Sequence, residues 1–192
     1  QGIILVMTRK YPLAIKTLTS LLQDYPTSKL RDEAHYWLGY VISFSAELLR
    51  KKNKQQALQE YKTSIQHFKN SDPTALTQSQ QQERWYLTGR AWWFLDDISK
   101  TADAWEQYLK HSKSVKPEQA LNLKYQLAAK FQQTNKYKQA ESWFARIVTD
   151  HPNSKLTAGS AFWRAEMAYA ASFQQTENTA LEPKSVKRLV NN

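Results

Sequence analysis

The sequence has no cysteine and little glycine or proline, and each shortage removes a class of protein or site. Without cysteine among its 192 residues, the chain can form no disulfide, no thiolate nucleophile and no cysteine-ligated metal site. Four glycines and six prolines are too few for the many tight turns of an all-β fold. The glycines also lie too far apart, at 2, 39, 89 and 159, to form a phosphate-binding loop.

Long apolar runs are missing too. No run approaches the roughly 20 residues that a membrane-spanning helix needs. The longest strongly apolar run, GIILVM at 2–7, lacks the length and flanking pattern of a signal peptide. Because the chain begins with Gln, we expect a processed or trimmed product.

The residues that are abundant favour helices. Hydrophobic residues make up 41% of the chain and aromatic residues 12%, which is enough for a packed core. Ala, Leu, Gln, Lys and Glu are common, and all are good helix formers. The composition therefore predicts an all-α protein.

The chain is basic, with a formal net charge of +10. Up to Asp96 there are 13 Lys or Arg and 8 Asp or Glu, and beyond it 14 and 9, so each half carries +5. An excess spread this evenly leaves two interpretations open, an acidic partner or surface and plain solubility.

One stretch of the sequence occurs twice. Residues 24–30, DYPTSKL, recur as DHPNSKL at 150–156, an offset of 126 residues. Flanking positions match at the same offset, including Tyr11 with Tyr137 and Trp37 with Trp163. Two weaker copies lie between, so that small residues recur at intervals of 43, 44 and 39 residues, at Ala14, Ala57, Thr101 and Ala140. A repeated pattern of this kind predicts stacked supersecondary units.

Each repeated helix follows a bulky helix with one small residue near its middle. These small residues are Gly39, Gly89, Ala128 and Ala165, and Gly2 fits the same position. Because glycine costs about 1 kcal/mol in a helix interior, its presence predicts that another helix crosses closely there. Since Gly2 has no first half-helix before it, we expect the chain to open in the middle of a repeat.

Steps of three and four between apolar positions, with Pro and Asn at the boundaries, predict nine helices. Their predicted ranges are 2–8, 12–24, 29–51, 54–69, 75–95, 97–112, 117–133, 136–149 and 155–173. We expect a repeat array over 1–173, followed by a polar, basic tail over 174–192. The tail fits either a short capping helix near 183–190 or a disordered segment.

The pattern resembles tetratricopeptide repeats, which are helix–turn–helix units with a nominal period near 34 residues. Residues 11–39 and 136–170 resemble the variety found in bacterial envelope proteins, such as the Tol–Pal coordinator and lipoproteins of outer-membrane assembly. The resemblance covers about 2–170 and is strongest in the first and last units. It implies an α-solenoid of antiparallel helix pairs with a right-handed superhelix, four to five repeats and an incomplete first one. It also implies a periplasmic or envelope location, with a cytoplasmic one as the alternative.

In such arrays the first helix of each pair lines the concave face, where a peptide segment or partner helix binds. Counting from the small residues gives nine candidate lining residues: Tyr36, Tyr40, Phe44, Tyr86, Arg90, Trp93, Tyr125, Phe162 and Tyr169. Aromatic side chains and arginine are the types that anchor protein contacts. The alternative is that these side chains belong to the core between repeats.

The sequence indicates no catalytic or metal-binding site. The four histidines, at 35, 67, 111 and 151, have no metal-ligand spacing, and the acid pairs Asp32-Glu33 and Asp96-Asp97 lie near predicted helix starts. We therefore expect no catalytic site, cofactor, metal or small-molecule substrate. The leading hypothesis is a non-catalytic adaptor within a multiprotein complex, with an acidic protein surface as one kind of partner. Two alternatives stay open: a nucleic-acid-associated helical repeat, which the absence of a recognised motif disfavours, and a scaffold segment of a larger cell-wall enzyme.

Overall fold

The computed structural model describes residues 1–111 and 115–180, and all regular structure in these ranges is helical. They contain nine α-helices: α1 (Gly2–Met7), α2 (Tyr11–Asp24), α3 (Arg31–Leu49), α4 (Lys54–Asn70), α5 (Gln78–Phe94), α6 (Ile98–His111), α7 (Pro117–Gln133), α8 (Tyr137–Asp150) and α9 (Thr157–Ala180). A short 3₁₀ turn, Pro73–Ala75, precedes α5. The predicted all-α class is confirmed, and each predicted helix is present.

The chain divides into two compact units, Gln1–Lys113 and Ser114–Asn192. In the first unit each helix from α1 to α6 packs against the next, and α3 also contacts both α1 and α5. In the second unit α7 packs on α8 and α8 packs on α9. Contacts of α3 with its second neighbours place α1, α3 and α5 side by side within the first unit.

Helix boundaries follow local chemistry. Asn53 caps α4 by accepting a hydrogen bond from the Gln56 backbone N–H. Thr77 and Gln80 form a capping box at the start of α5, so residues 75–77 lie outside that helix, contrary to the predicted start at 75. The last helix extends to Ala180, past the predicted end at 173. The predicted capping helix near 183–190 lies outside the described residues.

Three helix–helix turns share one backbone conformation. Arg9, Asp96 and Asn135 have φ angles of 58°, 60° and 57°, in the left-handed region. In each turn the following residue donates its N–H to a carbonyl five residues back, as in Lys10 to Leu5, so the end of the helix is closed. Asp and Asn tolerate this conformation, whereas a longer side chain costs roughly 1 kcal/mol. Arg9 therefore occupies a position for which its residue type is unfavourable.

The small residues of the first unit lie where a bulky side chain from the next helix packs. A Cβ added at Gly2 would meet the Leu18 side chain at 2.7 Å, and one at Gly39 would meet the Phe68 ring at 2.6 Å. At Gly89 it would overlap the Trp105 indole. The prediction of close helix crossings is thus confirmed at these glycines, and Ala128 is also fully buried. It is wrong at Ala165, which is exposed because no helix among the described residues covers that side of α9.

Buried polar groups also connect helices. Ser64 on α4 donates a 2.7 Å hydrogen bond to the Gly39 carbonyl oxygen. In the second unit Lys124 is buried, and its Nζ lies 2.6 Å from Asp150 Oδ2 and 3.1 Å from His151 Nε2. The ion pair explains how a lysine occupies an otherwise apolar helix position, since a buried charge requires a partner.

Gly39→Ala and Gly89→Ala should each destabilise the protein by about 1–3 kcal/mol. The added methyl group would force Phe68 or Trp105 out of its position, and this overpacking should exceed the gain in helix propensity. Urea unfolding followed by circular dichroism measures the effect.

Gly159→Ala is the matched control, because nothing lies within 4 Å of a Cβ added there. It should be neutral or stabilising by up to about 1 kcal/mol. Equal midpoints for all three variants would contradict the close-packing account.

Candidate functional site

An open groove of about 560 Å³ lies between α1 and α3 in the first unit. We call it the α1–α3 groove, and it is lined by Val6, Met7, Arg9, Tyr11, Tyr40, Phe44, Glu47 and Leu48. It exists because α1 and α3 lie side by side with the turn after α1 at one end. Its walls are mainly apolar, with one cation and one carboxylate.

Tyr40 and Phe44, both predicted as binding residues, lie one helical turn apart in this groove. Their ring centroids are 4.8 Å apart and both side chains are half-buried. Burial raises the pKa of the Tyr40 phenol, and the charge of Glu83 adds to the shift. The hydroxyl therefore stays protonated and can donate a hydrogen bond at the groove surface.

Two apolar side chains of the groove lining, Met7 and Leu48, are open to solvent. Met7 is 68% exposed and Leu48 is 67% exposed. Large apolar side chains at the edge of an aromatic groove are typical of protein-binding surfaces. The groove therefore presents apolar surface to solvent at its edge.

Glu47, which lines the groove, binds three donors, one on α4, one on α5 and one directly after the end of its own helix α3. It accepts hydrogen bonds from Tyr61 Oη at 3.0 Å and Arg90 Nη2 at 2.9 Å, and Arg50 Nη2 lies 3.1 Å away. Burial raises the pKa of Tyr61, and the Glu47 charge adds to the shift. The predicted binding residue Arg90 is thus held in an internal ion pair that joins α3 and α5.

Tyr36, another predicted binding residue, belongs to the core. Its side chain is 1% exposed, and its hydroxyl donates a 2.9 Å hydrogen bond to Glu83 Oε2. Burial and the Glu83 carboxylate both raise its pKa, in that order. The core alternative left open by the sequence describes this residue.

Tyr86 and Trp93, predicted on α5, pack against α6. The Tyr86 ring lies 5.3 Å from the Tyr108 ring, and Trp93 stacks on Trp105 with centroids 5.7 Å apart. Because Trp105 is the side chain that fills the space at Gly89, Trp93 supports a helix crossing. Both side chains are partly exposed, but they lie outside the lining of the α1–α3 groove.

The remaining predicted residues lie in the second unit and are exposed. Tyr125 on α7 is at the edge of exposure, while Phe162 and Tyr169 on α9 are open to solvent. On α9 each pairs with a neighbouring ring, Phe162 with Trp163 and Tyr169 with Phe173. The four rings on α9 form an exposed apolar surface on a single helix.

A larger concavity, of about 800 Å³, runs along the first turns of α4. Its lining comes from 53–62 and is polar apart from Leu58. Since a single helix supplies all of it, the concavity has no opposing wall. We therefore regard the α1–α3 groove as the better site, although it is smaller.

Metal-binding clusters and membrane-spanning helices are both absent from the part of the chain that the structure describes. Within 1–111 and 115–180 no three His, Cys, Asp or Glu side chains are grouped so that they could hold a metal ion. Among these residues no helix is both long and apolar enough to cross a membrane.

His35 and His67 form a contact between α3 and α4. Their Nδ1 atoms are 3.0 Å apart, so one ring donates the proton and the other accepts it. Burial and, to a smaller extent, the charge of His35 together lower the pKa of His67 to about 4. Burial and the nearby Arg31 charge lower the pKa of His35, against the influence of Asp32. The pair is neutral near pH 7.

Sequence reasoning missed the other six residues that line the groove: Val6, Met7, Arg9, Tyr11, Glu47 and Leu48. Leu48 lies one turn after Phe44 on the same helix face, so the spacing contained a signal for it. Arg9 and Met7 come from a different helix and turn, and only the tertiary contact of α1 with α3 brings them into the groove.

No protein-family model matches the sequence, and no curated protein is significantly similar to it. The candidate site therefore rests on the geometry of the groove.

Glu47→Gln should destabilise the protein by about 1–2 kcal/mol. A neutral amide cannot accept hydrogen bonds from Tyr61, Arg50 and Arg90 at once, so partly buried donors would lose their partner. Urea unfolding measures the change.

Glu141→Gln is the control, because it breaks a single ion pair with the more exposed Arg164 and should cost under about 1 kcal/mol. If the control loses as much stability as Glu47→Gln, the three contacts of Glu47 contribute no more to stability than one ion pair does.

The free energy of unfolding should fall as the pH drops from 7 toward 4. In the unfolded chain both imidazoles titrate near 6.5, whereas burial lowers the folded pKa of His67 to about 4. Between these values the unfolded state binds a proton that the folded state does not, so acid favours unfolding, with a slope of at most about 1.4 kcal/mol per pH unit for one proton. Urea unfolding at pH 7, 6 and 5 tests this expectation.

His67→Gln should flatten the pH dependence, while the same change at the exposed His111 should leave it intact. Parallel pH profiles for the parent protein and His67→Gln would show that the pair does not control acid sensitivity.

Proposed function

We propose that this chain is a tetratricopeptide-like α-solenoid that acts as a non-catalytic adaptor and binds a segment of another protein in the α1–α3 groove. The single observation that carries the proposal is the groove itself, in which half-buried Tyr40 and Phe44 lie beside the exposed apolar side chains of Met7 and Leu48. Its volume and aromatic lining suit a peptide or a helix face.

The helix arrangement supports the solenoid part of the proposal. Contacts of α3 with both α1 and α5 are those expected when successive helix pairs stack and their first helices lie side by side. The same left-handed turn recurs after α1, α5 and α7, which are the first helices of three predicted pairs. A common turn at equivalent positions is the conformational counterpart of the sequence repeat.

We further propose that the adaptor acts in an assembly of the bacterial envelope, on the ground of the form of the repeat. Residues 11–39 carry the spacing of tyrosine, proline and tryptophan that the resemblance is based on. Adaptors of this kind hold one component of a larger assembly against another, a role that needs a binding surface and no catalytic group. The aromatic groove meets that requirement.

A photo-crosslinking amino acid at position 48, introduced in the source cell, should crosslink one predominant protein. Position 13 is the matched control, since Leu13 is also an exposed leucine but lies outside the groove. With the crosslinked protein purified, Leu48→Asp should weaken binding at least tenfold, because a carboxylate would replace an apolar contact. Leu13→Asp should bind like the parent protein.

The proposal fails if positions 48 and 13 give the same crosslinks. It also fails if Leu48→Asp, shown by circular dichroism to be folded, binds the partner as tightly as the parent protein.

A further inference from the structure

Arg9 is the unusual residue among the three left-handed turns. The equivalent positions hold Asp96 and Asn135, which are residue types that adopt this conformation readily. Arg9 has no such advantage, yet the turn holds it at φ 58° with its N–H bonded to the Val6 carbonyl. When a residue is kept in an unfavourable backbone conformation, this indicates a function for its side chain.

The turn places the Arg9 side chain in the wall of the α1–α3 groove. It lines the groove together with Tyr11 and Tyr40, and it is exposed to solvent. Its positive charge acts on the Tyr40 phenol, where it opposes the rise in pKa caused by burial. Arg9 and Tyr40 are therefore near enough to contact one ligand together.

The carboxylate that lines the groove has cationic partners within the protein, whereas the arginine that lines it has no ion pair among the described residues. Glu47 already binds Arg50, Arg90 and the Tyr61 hydroxyl, and Glu83 accepts the hydrogen bond of Tyr36. Over the described residues Arg9 makes no ion pair. The groove thus offers an uncompensated guanidinium beside an apolar wall.

We propose that the segment bound in the α1–α3 groove is acidic, and that one of its Asp or Glu side chains pairs with Arg9 while its apolar side chains pack on Phe44 and Leu48. This inference rests on the proposed function and names the chemistry of the partner. Charge complementarity is the argument: a guanidinium presents two parallel donors that match a carboxylate. The net charge of +10 favours the approach of an acidic chain.

A protein segment fits the groove better than a nucleic acid. Binding to a phosphate backbone relies on several cations in sequence along the chain, with a steep dependence on salt. Among the described residues that line the groove the one cation is Arg9, and it stands beside Met7, Phe44 and Leu48, whose apolar surface favours apolar side chains in the ligand.

A displayed library of random 16-residue peptides, selected on the full chain in 0.1 M salt, tests the inference. Peptides that also bind the uncharged Leu48→Asn variant are removed, so that those kept depend on the groove and are not selected by an added charge. The remaining pool should be enriched in Asp and Glu over the unselected library. A representative peptide should bind Arg9→Asn about three- to fivefold more weakly, as for one exposed ion pair.

Arg9→Asn is informative because asparagine suits the left-handed turn, so this variant should be at least as stable as the parent protein while it loses affinity. Arg9→Lys should retain most of the binding. Lys16→Gln, at an exposed position on α2 outside the groove, should change neither property.

The outcomes separate the two proposals. A groove-dependent pool without enrichment in acidic residues, or unchanged affinity in Arg9→Asn, overturns the acidic-partner inference and leaves the binding groove standing. A pool with no peptide that depends on Leu48 overturns the proposed function itself. Tighter binding of a single-stranded oligonucleotide than of any selected peptide, lost in Arg9→Asn, would assign Arg9 to nucleic acid and overturn the inference.

Discussion

The packing of one bulky side chain over one small residue between successive helices determines the arrangement of the first unit. Leu18 lies over Gly2, Phe68 over Gly39 and Trp105 over Gly89. These contacts let helix backbones approach closely, since a methyl group in their place would overlap the ring or branched chain. With α1, α3 and α5 each held in this way by the helix that follows, their remaining faces lie side by side. The α1–α3 groove is the space between two of those helices, so it depends on the contacts that α1 makes with α2 and that α3 makes with α4.

Local sequence signals predicted the helices well because most boundaries are set by local chemistry. Pro12, Asn53 and Pro117 each lie within a residue or two of a helix start. The failures occurred where periodicity and helix propensity diverge. Beyond Phe173 the apolar period ends and the sequence turns polar, which indicated a tail, but glutamine, glutamate and alanine continue a helix without any apolar face. A change to polar sequence therefore does not by itself mark the end of a helix.

The candidate site was only partly predictable, because a helix period identifies a face but not what covers it. Tyr40 and Phe44 were found by counting from Gly39, yet the same counting included Tyr36, which α5 covers through the hydrogen bond to Glu83. Arg90 has the residue type of a binding anchor, but a carboxylate 43 positions away in sequence engages it. Neither outcome can be read from spacing, since each depends on which helix faces which after folding.

The two copies of the duplicated segment differ in sequence at positions where their surroundings differ. Tyr36 is 1% exposed on α3, whereas its counterpart Phe162 is 58% exposed on α9. The buried Leu38 corresponds to Arg164, whose side chain is half exposed and pairs with Glu141. A leucine at that position of α9 would stand in water, and an arginine at that position of α3 would bring a charge into the core. The two copies thus preserve the helices and the turn between them, while the substitution at this one position follows whether a helix among the described residues covers it. Repeats of this kind keep the residues that shape the backbone and vary those whose surroundings differ.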